Sequence, residues 1–351
     1  MKINFILPYP ARKPGGGHKI VFQYADFLAE KGHEIHLIFP IELEYLSYNR
    51  HFYIRWLMHF ILRTKWHRWF VFKNKIHFHL VKKIEENTIP TADITVASYW
   101  ATAFPISQLS KQKGKKFYFI QSFETWDGNE SKVIEGYYLS LSKIVISKWL
   151  KKKIESLSKQ TTVYIPNAIH QKDFYIQNKG TDRDVYTAIM LYSSLEIKGG
   201  TDGVLILNKV KEKIPNFQAI VFGVGKKPRF FPDWIKYFKQ PNLALLRTLY
   251  NKASVYLCPS QLEGWALPPA EAALCGCAIV GYDIGGLKDY AIHSQTALLA
   301  PCYNKEILAG YLLELIRNRS KRDILANNAK KYLDKHFKWE DSVNKIEMLF
   351  N

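Results

Sequence analysis

The sequence predicts an α/β protein with two successive halves, each built on a parallel β-sheet. Three observations support this fold class. Buried strand segments alternate with amphipathic helices in both halves, a glycine-rich loop follows the first strand, and 351 residues suit two domains better than one. Hydrophobic residues make up 47% of the chain and charged residues 23%, the mixture of a folded globular protein. A single small module and a disordered chain are therefore excluded.

The first half opens with a predicted βαβ unit. Residues 2–10, KINFILPYP, form a predicted buried strand, and the loop over 11–17 ends in three glycines. A helix is predicted over 18–31, and Gly32 ends it before a second strand over 33–40. Two strands joined by a helix imply a parallel sheet with helices on its faces. The apolar face of the helix consists of Ile20, Val21, Tyr24, Phe27 and Leu28.

The second half repeats this alternation. The predicted strands cover 184–192, 217–225, 254–260 and 277–283, and the helices between them cover 201–213, 243–252 and 268–274. Helices are also predicted towards the end of the chain, over 305–317, 321–336 and 339–350. Parallel strands place their carboxyl ends at one edge of a sheet, where ligands of such folds bind. We therefore expect a ligand in the cleft between the two halves, at these strand ends.

The domain organisation follows from the same pattern. Residues 1–170 form the predicted first domain, with a basic, aromatic insert over about 45–83. Residues 171–334 form the second domain. The last helix, within 335–351, is expected to pack across the junction of the two domains.

Positive charge is in large excess, and the insert carries much of it. Fifty Lys and Arg against 31 Asp and Glu give a net charge of +19, which favours an anionic partner. The insert over 45–83 holds nine Lys or Arg, five His and eleven aromatic residues, with no acidic residue. This composition suits an anionic membrane surface, and ordinary helix core faces are the alternative. No segment matches a nucleic-acid-binding module, so nucleic acid is not an expected partner.

The cysteines indicate a reducing compartment. Cys258, Cys275, Cys277 and Cys302 contain no C-x2-C pair, and their spacing fits no zinc site. We interpret them as reduced, mostly buried thiols of a cytoplasmic protein. No apolar stretch reaches 18 residues without a charge, and the apolar run at the start is too short for a signal peptide. The protein is therefore expected in the cytoplasm, with the inner face of the cell membrane as a peripheral site.

One segment, SQLEGWALPPAEAALCGCAIVGYD over 260–283, carries the clearest chemistry. Glu263 lies in the loop after a predicted strand, and Glu271 lies in the helix that the two prolines begin. Unpaired amides at a helix start attract an anion, so a diphosphate could bind between the two carboxylates. The alternative is a solvated Glu263 and a Glu271 that only complements the helix dipole. The amides in question belong to Gly264, Trp265, Ala266 and Leu267.

This segment resembles the core motif of the retaining GT-B glycosyltransferases of family 4. Glu263 and Glu271 match the E-x7-E signature of that family, and the likeness extends over nearly the whole chain. The resemblance implies a GT-B fold, in which two Rossmann-like domains face each other across a cleft. The other matching segments, in the family's order, are GGG, YFIQSFE, IVISKWLKKKI, IPNAI, LEIKGG, IVFGVG, LYNKASVYLCPS and YDIGGLKD.

The resemblance also implies residue roles. Glu271 would bind the ribose hydroxyls of a nucleotide-sugar donor, and Glu263 would contact the donor sugar. Lys198, in LEIKGG, would neutralise the diphosphate as it leaves; the alternative is a solvated loop lysine. Gly16 and Gly17 would let the backbone approach the diphosphate or the acceptor, unless they only form a flexible turn.

Several positions depart from the family pattern. Ser193 stands where the family usually has an arginine, five residues before the lysine. The second positive charge is therefore missing from its expected place, with Arg229 and Arg247 as possible substitutes. In PNAIH, Ala168 replaces a glycine and His170 replaces an aspartate, which puts the family's hinge contact in question.

The acceptor side offers fewer clues. The family often has a histidine near the end of a strand in the first domain, but ITVASYWATAF contains none and places Trp100 there. Glu124, in QSFETW, is then a candidate polar group facing the acceptor. Its alternative is an ordinary glutamate of a surface loop.

The implied chemistry is a same-face transfer without a protein nucleophile. Positioning and stabilisation of charge on the leaving diphosphate would supply the rate enhancement. Neither a metal nor another cofactor is expected, and the nucleotide sugar is a substrate. Asp182 and Asp184 have the D-x-D spacing of metal-dependent transferases, but they precede a strand instead of following one. Solvated loop positions are the preferred interpretation for both.

The sequence therefore favours a retaining glycosyltransferase that uses a nucleoside-diphosphate sugar. Its expected acceptor is a glycan or a lipid-linked precursor in cell-surface polysaccharide synthesis. Two alternatives stay open: a non-catalytic, basic membrane or nucleic-acid binding protein on the same scaffold, and a sugar-nucleotide epimerase. The donor sugar, base, acceptor and linkage depend on side-chain geometry that a sequence does not give.

Overall fold

The chain folds into two compact α/β units in the computed structural model. The first unit combines Met1–Pro166 with Glu340–Asn351, and the second covers Asn167–Trp339. Each unit contains one parallel sheet flanked by helices, so the predicted fold class is confirmed. The structure describes residues 1–11, 13–44, 69–126, 129–177 and 183–351.

The first unit is built on a seven-stranded parallel sheet with the order β3-β2-β1-β4-β5-β6-β7. The order reverses direction at β1, which places β1 and β4 in the middle of the sheet. Both are almost completely buried. The strands are β1 Lys2–Ile6, β2 Glu34–Pro40, β3 His77–Val81, β4 Ile94–Ala97, β5 Lys115–Ile120, β6 Ser142–Val145 and β7 Thr162–Tyr164. Its described helices include α1 Gly16–Glu30, α2 Trp100–Gln108, α3 Glu130–Gly136 and α4 Lys148–Ser158.

The second unit contains a six-stranded parallel sheet with the order β10-β9-β8-β11-β12-β13. β11 is buried along its whole length and pairs with β8 on one side and β12 on the other. The strands are β8 Asp184–Tyr192, β9 Gln218–Gly223, β10 Ile235–Lys239, β11 Ala253–Cys258, β12 Ala278–Tyr282 and β13 Ala297–Ala300. The helices are α5 Gly200–Lys213, α6 Leu243–Lys252, α7 Leu267–Leu274, α8 Lys305–Arg317 and α9 Arg319–His336.

The last helix, α10 Trp339–Phe350, packs on the first unit. The ring of Phe350 lies 4.9 Å from that of Phe117, in β5. Glu347 accepts hydrogen bonds from Lys31 Nζ at 2.6 Å and from His33 Nε2 at 2.8 Å. These contacts place the end of the chain in the first unit, which begins with the amino terminus.

The described part of the basic, aromatic insert is mostly half-buried and packs its aromatic rings on the first unit. Trp69 donates from Nε1 to the carbonyl of Ala11 at 2.8 Å, and its ring stacks on Phe22 at 5.5 Å. Phe70 and Phe72 also contact the Phe22 ring. This part thus contacts α1 through its rings, but it forms a loop and β3 instead of the helix core faces of the alternative. Residues 45–68, which carry most of the cationic cluster, lie outside the described residues.

The cysteine thiols are free and mostly inaccessible. Cys258, Cys275 and Cys277 are buried, and Cys302 is half-buried. Burial raises the pKa of Cys258 to about 12, so its thiol stays protonated at neutral pH. Among the described residues, no helix combines the length and the hydropathy that a membrane span requires.

Candidate functional site

Two loops of the second unit meet at the carboxyl edge of its sheet. One follows β8 and carries Lys198, and the other follows β11 and carries Glu263. Because β8 and β11 are neighbours, the loops run side by side. The carbonyl of Ile197 accepts backbone hydrogen bonds from Gln261 at 2.8 Å and from Leu262 at 3.4 Å. These bonds fix the two loops to each other.

Lys198 and Glu263 form an ion pair across these loops. Lys198 Nζ lies 2.8 Å from Glu263 Oε2, and the side chains are 25% and 13% exposed. Lys198 ends a short 3-10 turn, and Gly199 follows it with a left-handed φ of 60° before α5 begins. A Cβ at residue 199 would lie 2.0 Å from the carbonyl oxygen of Pro259, so the approach of the two loops requires glycine there. The lysine and the glutamate predicted from sequence are thus in direct contact.

Glu271 is buried in the middle of α7, with 4% of its surface exposed. Tyr250, in α6, donates its hydroxyl proton to Glu271 Oε2 at 3.2 Å. Burial raises the pKa of Tyr250 well above its usual value, and the neighbouring Glu271 raises it further, so this hydroxyl stays a donor. In the sequence, Tyr250 stands only within the matching segment LYNKASVYLCPS, and its contact with Glu271 joins two helices and is visible only in the fold.

The two carboxylates lie in one neighbourhood. Burial raises the pKa of Tyr256 and of Tyr290 well above the usual value, and the charges of both Glu263 and Glu271 raise it further in each case. The charge of a carboxylate shifts the pKa of a tyrosine only over a short distance, so both glutamates lie near these two tyrosines. This arrangement agrees with the spacing argument made from the sequence.

The turn between the two carboxylates packs against Tyr290. Ala266 adopts a left-handed φ of 63° immediately before α7, and Tyr290 donates from its hydroxyl to the Ala266 carbonyl. The Trp265 side chain is 1% exposed and packs on Tyr290 at 4.8 Å and on Phe337 at 5.2 Å. Gly264 is also buried, whereas Leu267 is half-buried. The side chain of Trp265 is thus a core group, and a donor could meet this turn only through its backbone.

The loop after β12 supports the same turn through Gly286. Its amide donates to the Glu263 carbonyl at 3.0 Å. A Cβ at residue 286 would lie 1.8 Å from the carbonyl oxygen of Gly264, which no side chain tolerates. In the sequence, Gly285 and Gly286 stand only within the matching segment YDIGGLKD, and the support that Gly286 provides is visible only in the fold.

Gly286→Ala is expected to destabilise the protein by about 1–3 kcal/mol, because the new methyl group must displace the loop of Glu263. Urea unfolding followed by circular dichroism measures the effect. The matched control is Gly310→Ala, where a Cβ meets no atom within 4 Å and the residue lies inside α8. That change should stabilise by about 0.5–1 kcal/mol. Equal unfolding midpoints for Gly286→Ala and the native protein would contradict the packing argument.

The remaining predicted donor residues lie in the first unit. Gly16 and Gly17 are exposed and begin α1, after an extended Gly15 that provides no side-chain cap. A Cβ at residue 17 would lie 3.4 Å from Gln121 Nε2, in the loop after β5. The backbone is therefore accessible at this helix start, and a role towards the donor or acceptor stays a prediction.

The two acceptor-side candidates contact each other inside the first unit. Glu124 is 6% exposed, so the surface-loop alternative is wrong. Its Oε2 accepts the backbone N–H of Trp100 at 3.0 Å, which satisfies an amide at the start of α2. The Trp100 side chain is fully buried and lies edge-on to Phe104 at 6.4 Å. Trp100 therefore offers no surface to an acceptor, and the structure shows Glu124 as a helix cap.

The other sequence candidates have local partners. Asp184 accepts the N–H of Tyr186 at 2.9 Å and the hydroxyl of Thr187 at 2.6 Å, whereas Asp182 lies outside the described residues. Ser193 is half-buried, and its hydroxyl accepts the N–H of Leu195 at 3.2 Å. Asp184 thus stabilises the start of β8, and Ser193 stabilises the turn that leads to Lys198.

The second unit resembles known proteins in sequence. Residues 171–332 match the family model of the glycosyl transferases group 1. An uncharacterized glycosyltransferase of Methanocaldococcus jannaschii is 25% identical over 59% of this chain. The match spans 58% of that relative's length. A D-inositol 3-phosphate glycosyltransferase of Jonesia denitrificans is 28% identical over 43% of this chain, and the match spans 32% of its length. The chain thus matches only part of these curated relatives.

Solved structures resemble the whole chain. Sucrose-phosphate synthase from Thermosynechococcus elongatus aligns with a TM-score of 0.75 and 18% identity, covering 100% of this chain and 98% of that one. Anabaena HepE, solved in complex with UDP and glucose, aligns with a TM-score of 0.75 and 13% identity over 99% of both chains. The fold is therefore GT-B, and residues 171–332 of this chain match the family model of the glycosyl transferases group 1.

Proposed function

We propose that this protein transfers a sugar from a nucleoside-diphosphate sugar to a hydroxyl acceptor, with retention of the anomeric configuration. The observation that carries the proposal is the Lys198–Glu263 ion pair, 2.8 Å long, at the carboxyl edge of a parallel sheet and beside the start of α7. Strand ends of this kind are where open α/β sheets bind nucleotides. The family match and the UDP in the HepE structure support the same class of donor.

Each group of the site has a place in donor binding. The ammonium of Lys198 attracts the diphosphate, and the backbone amides over 264–267 donate to its oxygens. Glu271, oriented by Tyr250, accepts hydrogen bonds from the ribose hydroxyls. Glu263 holds Lys198 until the donor enters and then accepts hydrogen bonds from the donor sugar. The donor thus replaces a pairing that keeps both charges satisfied in its absence.

The transfer breaks one bond and forms another on the same face of the sugar. The acceptor oxygen bonds to the anomeric carbon as the bond from that carbon to the diphosphate oxygen breaks. The acceptor proton passes to the departing diphosphate oxygen, so no protein nucleophile is needed. Negative charge builds on the diphosphate during this step, and Lys198 and the helix-start amides stabilise it.

The proposal extends to partner, location and cofactor. A cytoplasmic enzyme at the inner face of the cell membrane, acting on a glycan or lipid-linked acceptor, agrees with the net charge of +19. We propose no metal requirement, because side-chain cations and backbone amides of the chain would stabilise the leaving group. Turnover that persists in EDTA would support this part of the proposal.

A panel of nucleotide sugars tests the proposed function. Thermal shift with UDP, GDP and TDP identifies the nucleotide, and mass spectrometry then detects donor hydrolysis or transfer. Proton NMR of the product distinguishes retention from inversion at the anomeric carbon. No shift with any nucleotide and no turnover of any donor would overturn the proposal, and an inverted product would overturn its stereochemistry.

A further inference from the structure

The Lys198–Glu263 pair leaves a charge deficit at the proposed diphosphate position. One lysine and one glutamate sum to zero, whereas a nucleoside diphosphate carries about two to three negative charges at neutral pH. Helix-start amides contribute partial charges only. A second, unpaired cation at the same edge of the sheet would correct this deficit. This inference rests on the proposed function.

The strand order indicates which loop can supply that cation. β9 lies next to β8, so the loop over 224–234 leaves the sheet beside the loop that carries Lys198. Aromatic contacts fix the position of this loop: the rings of Phe230 and Phe231 lie 6.2 and 5.0 Å from that of Tyr192. Tyr192 is the last residue of β8 and directly precedes Ser193. The loop after β9 is therefore anchored where β8 ends.

This loop carries three cationic side chains, Lys226, Lys227 and Arg229, and Lys227 is hydrogen-bonded within the loop region. Lys227 Nζ donates back to the carbonyls of Pro232 at 3.5 Å and Ile235 at 3.4 Å. Lys226 and Arg229 are exposed, and among the residues that the structure describes neither is engaged by a hydrogen bond or an ion pair. Of the two, Arg229 directly precedes Phe230, whose ring contacts the end of β8.

Arg247, the other substitute considered from the sequence, is already engaged. Its guanidinium donates to the carbonyl of Asp173 at 3.0 Å and lies over the ring of Tyr175 at 4.7 Å. These partners belong to the segment that begins the second unit. Arg247 therefore stabilises packing of α6, and its charge is not free for a phosphate.

We propose that Arg229 binds the diphosphate of the donor and of the nucleotide product, as the second cation beside Lys198. The planar guanidinium donates two parallel hydrogen bonds, which suits phosphate oxygens. Its exposed position on a loop allows the side chain to swing towards the ligand after binding. The residue therefore acts on affinity for the diphosphate, while Lys198 acts on the reacting bond.

Binding of UDP, uridine and inorganic pyrophosphate to the full-length protein tests this inference. Isothermal titration calorimetry should show about tenfold weaker binding of UDP and pyrophosphate to Arg229→Gln, with uridine affinity unchanged. Arg229→Lys should recover part of the loss, because a charge remains. Lys252→Gln is the matched control: this exposed lysine ends α6, just before β11, at the opposite edge of the sheet.

The outcomes separate the two proposals. Native affinity for UDP and pyrophosphate in Arg229→Gln would overturn the role of Arg229 and leave the proposed function standing. Equal losses for UDP and uridine would also overturn it, because they would indicate a general change of the loop. If the native protein binds no nucleoside diphosphate in the panel, the proposed function itself fails.

Discussion

Lys198→Ala is expected to lower kcat by about 100- to 1000-fold, the usual effect of removing one group that stabilises charge on a leaving oxygen. The ammonium faces Glu263 in the free protein and becomes available to the diphosphate when the donor displaces that carboxylate. Its largest contribution comes as the bond to the sugar breaks, so the donor Kd should change by less than about fivefold. Single-turnover kinetics and equilibrium titration measure the two quantities separately.

The control for this variant is Lys209→Ala. Lys209 lies in α5, is 42% exposed and is ion-paired with Glu306, so it matches the loss of charge and of a salt bridge. Its removal should leave kcat within about twofold of the native value. A double-mutant cycle with Glu263→Gln tests whether Lys198 acts only by holding Glu263. If Lys198→Ala has no further effect in the Glu263→Gln background, the direct role of the lysine is wrong.

Glu271→Ala is expected to weaken nucleotide binding by about 100-fold, because hydrogen bonds from two ribose hydroxyls to a buried carboxylate are lost. The effect should fall on UDP and on uridine alike, since both contain the ribose. Deoxyuridine, which has one ribose hydroxyl fewer, should bind the native protein more weakly than uridine does. Its affinity should also fall less in Glu271→Ala. Isothermal titration calorimetry with the three ligands provides the comparison.

Folding of these variants must be separated from binding. Glu271 is 4% exposed and accepts a hydrogen bond from Tyr250, so Glu271→Ala removes a partner from a buried hydroxyl. Glu271→Gln keeps the side-chain volume and an acceptor for Tyr250, and we expect it to fold normally and bind about tenfold more weakly than native. Glu212→Gln, on the exposed face of α5, is the matched control. A Glu271→Gln protein with native affinity for uridine would contradict the assignment.

The sequence predicted the long elements well and missed several short strands, among them the buried β13. The helix predicted over 201–213 is found as Gly200–Lys213, because its apolar face is regular. β10, Ile235–Lys239, was missed, since its two lysines and partial exposure on an edge strand weaken the hydrophobic pattern. β3, at the edge of the other sheet, was also missed. Its residues alternate histidine with apolar side chains, and they lie within the segment that was interpreted as an insert.

The positions of the candidate residues were predictable, and their contacts were less so. The positions of Glu263, Glu271 and Lys198 followed from spacing and resemblance, because strand ends and helix starts fix backbone position. The cap formed by Glu124 was not predictable, since it joins two segments 24 residues apart through one buried hydrogen bond. The close approach of Gly286 to the carbonyl of Gly264 is also a tertiary contact, so the sequence alone does not reveal it.

The packing of Phe350 on Phe117 has a consequence for biosynthesis. The first unit needs residues 340–351 to cover the end of β5, yet these emerge from the ribosome after the whole second unit. The second unit is contiguous in sequence, so its folding does not require the last helix. The amino-terminal sheet keeps an uncovered apolar surface around Phe117 until the last helix has been synthesised, so the unit whose synthesis begins first is completed last.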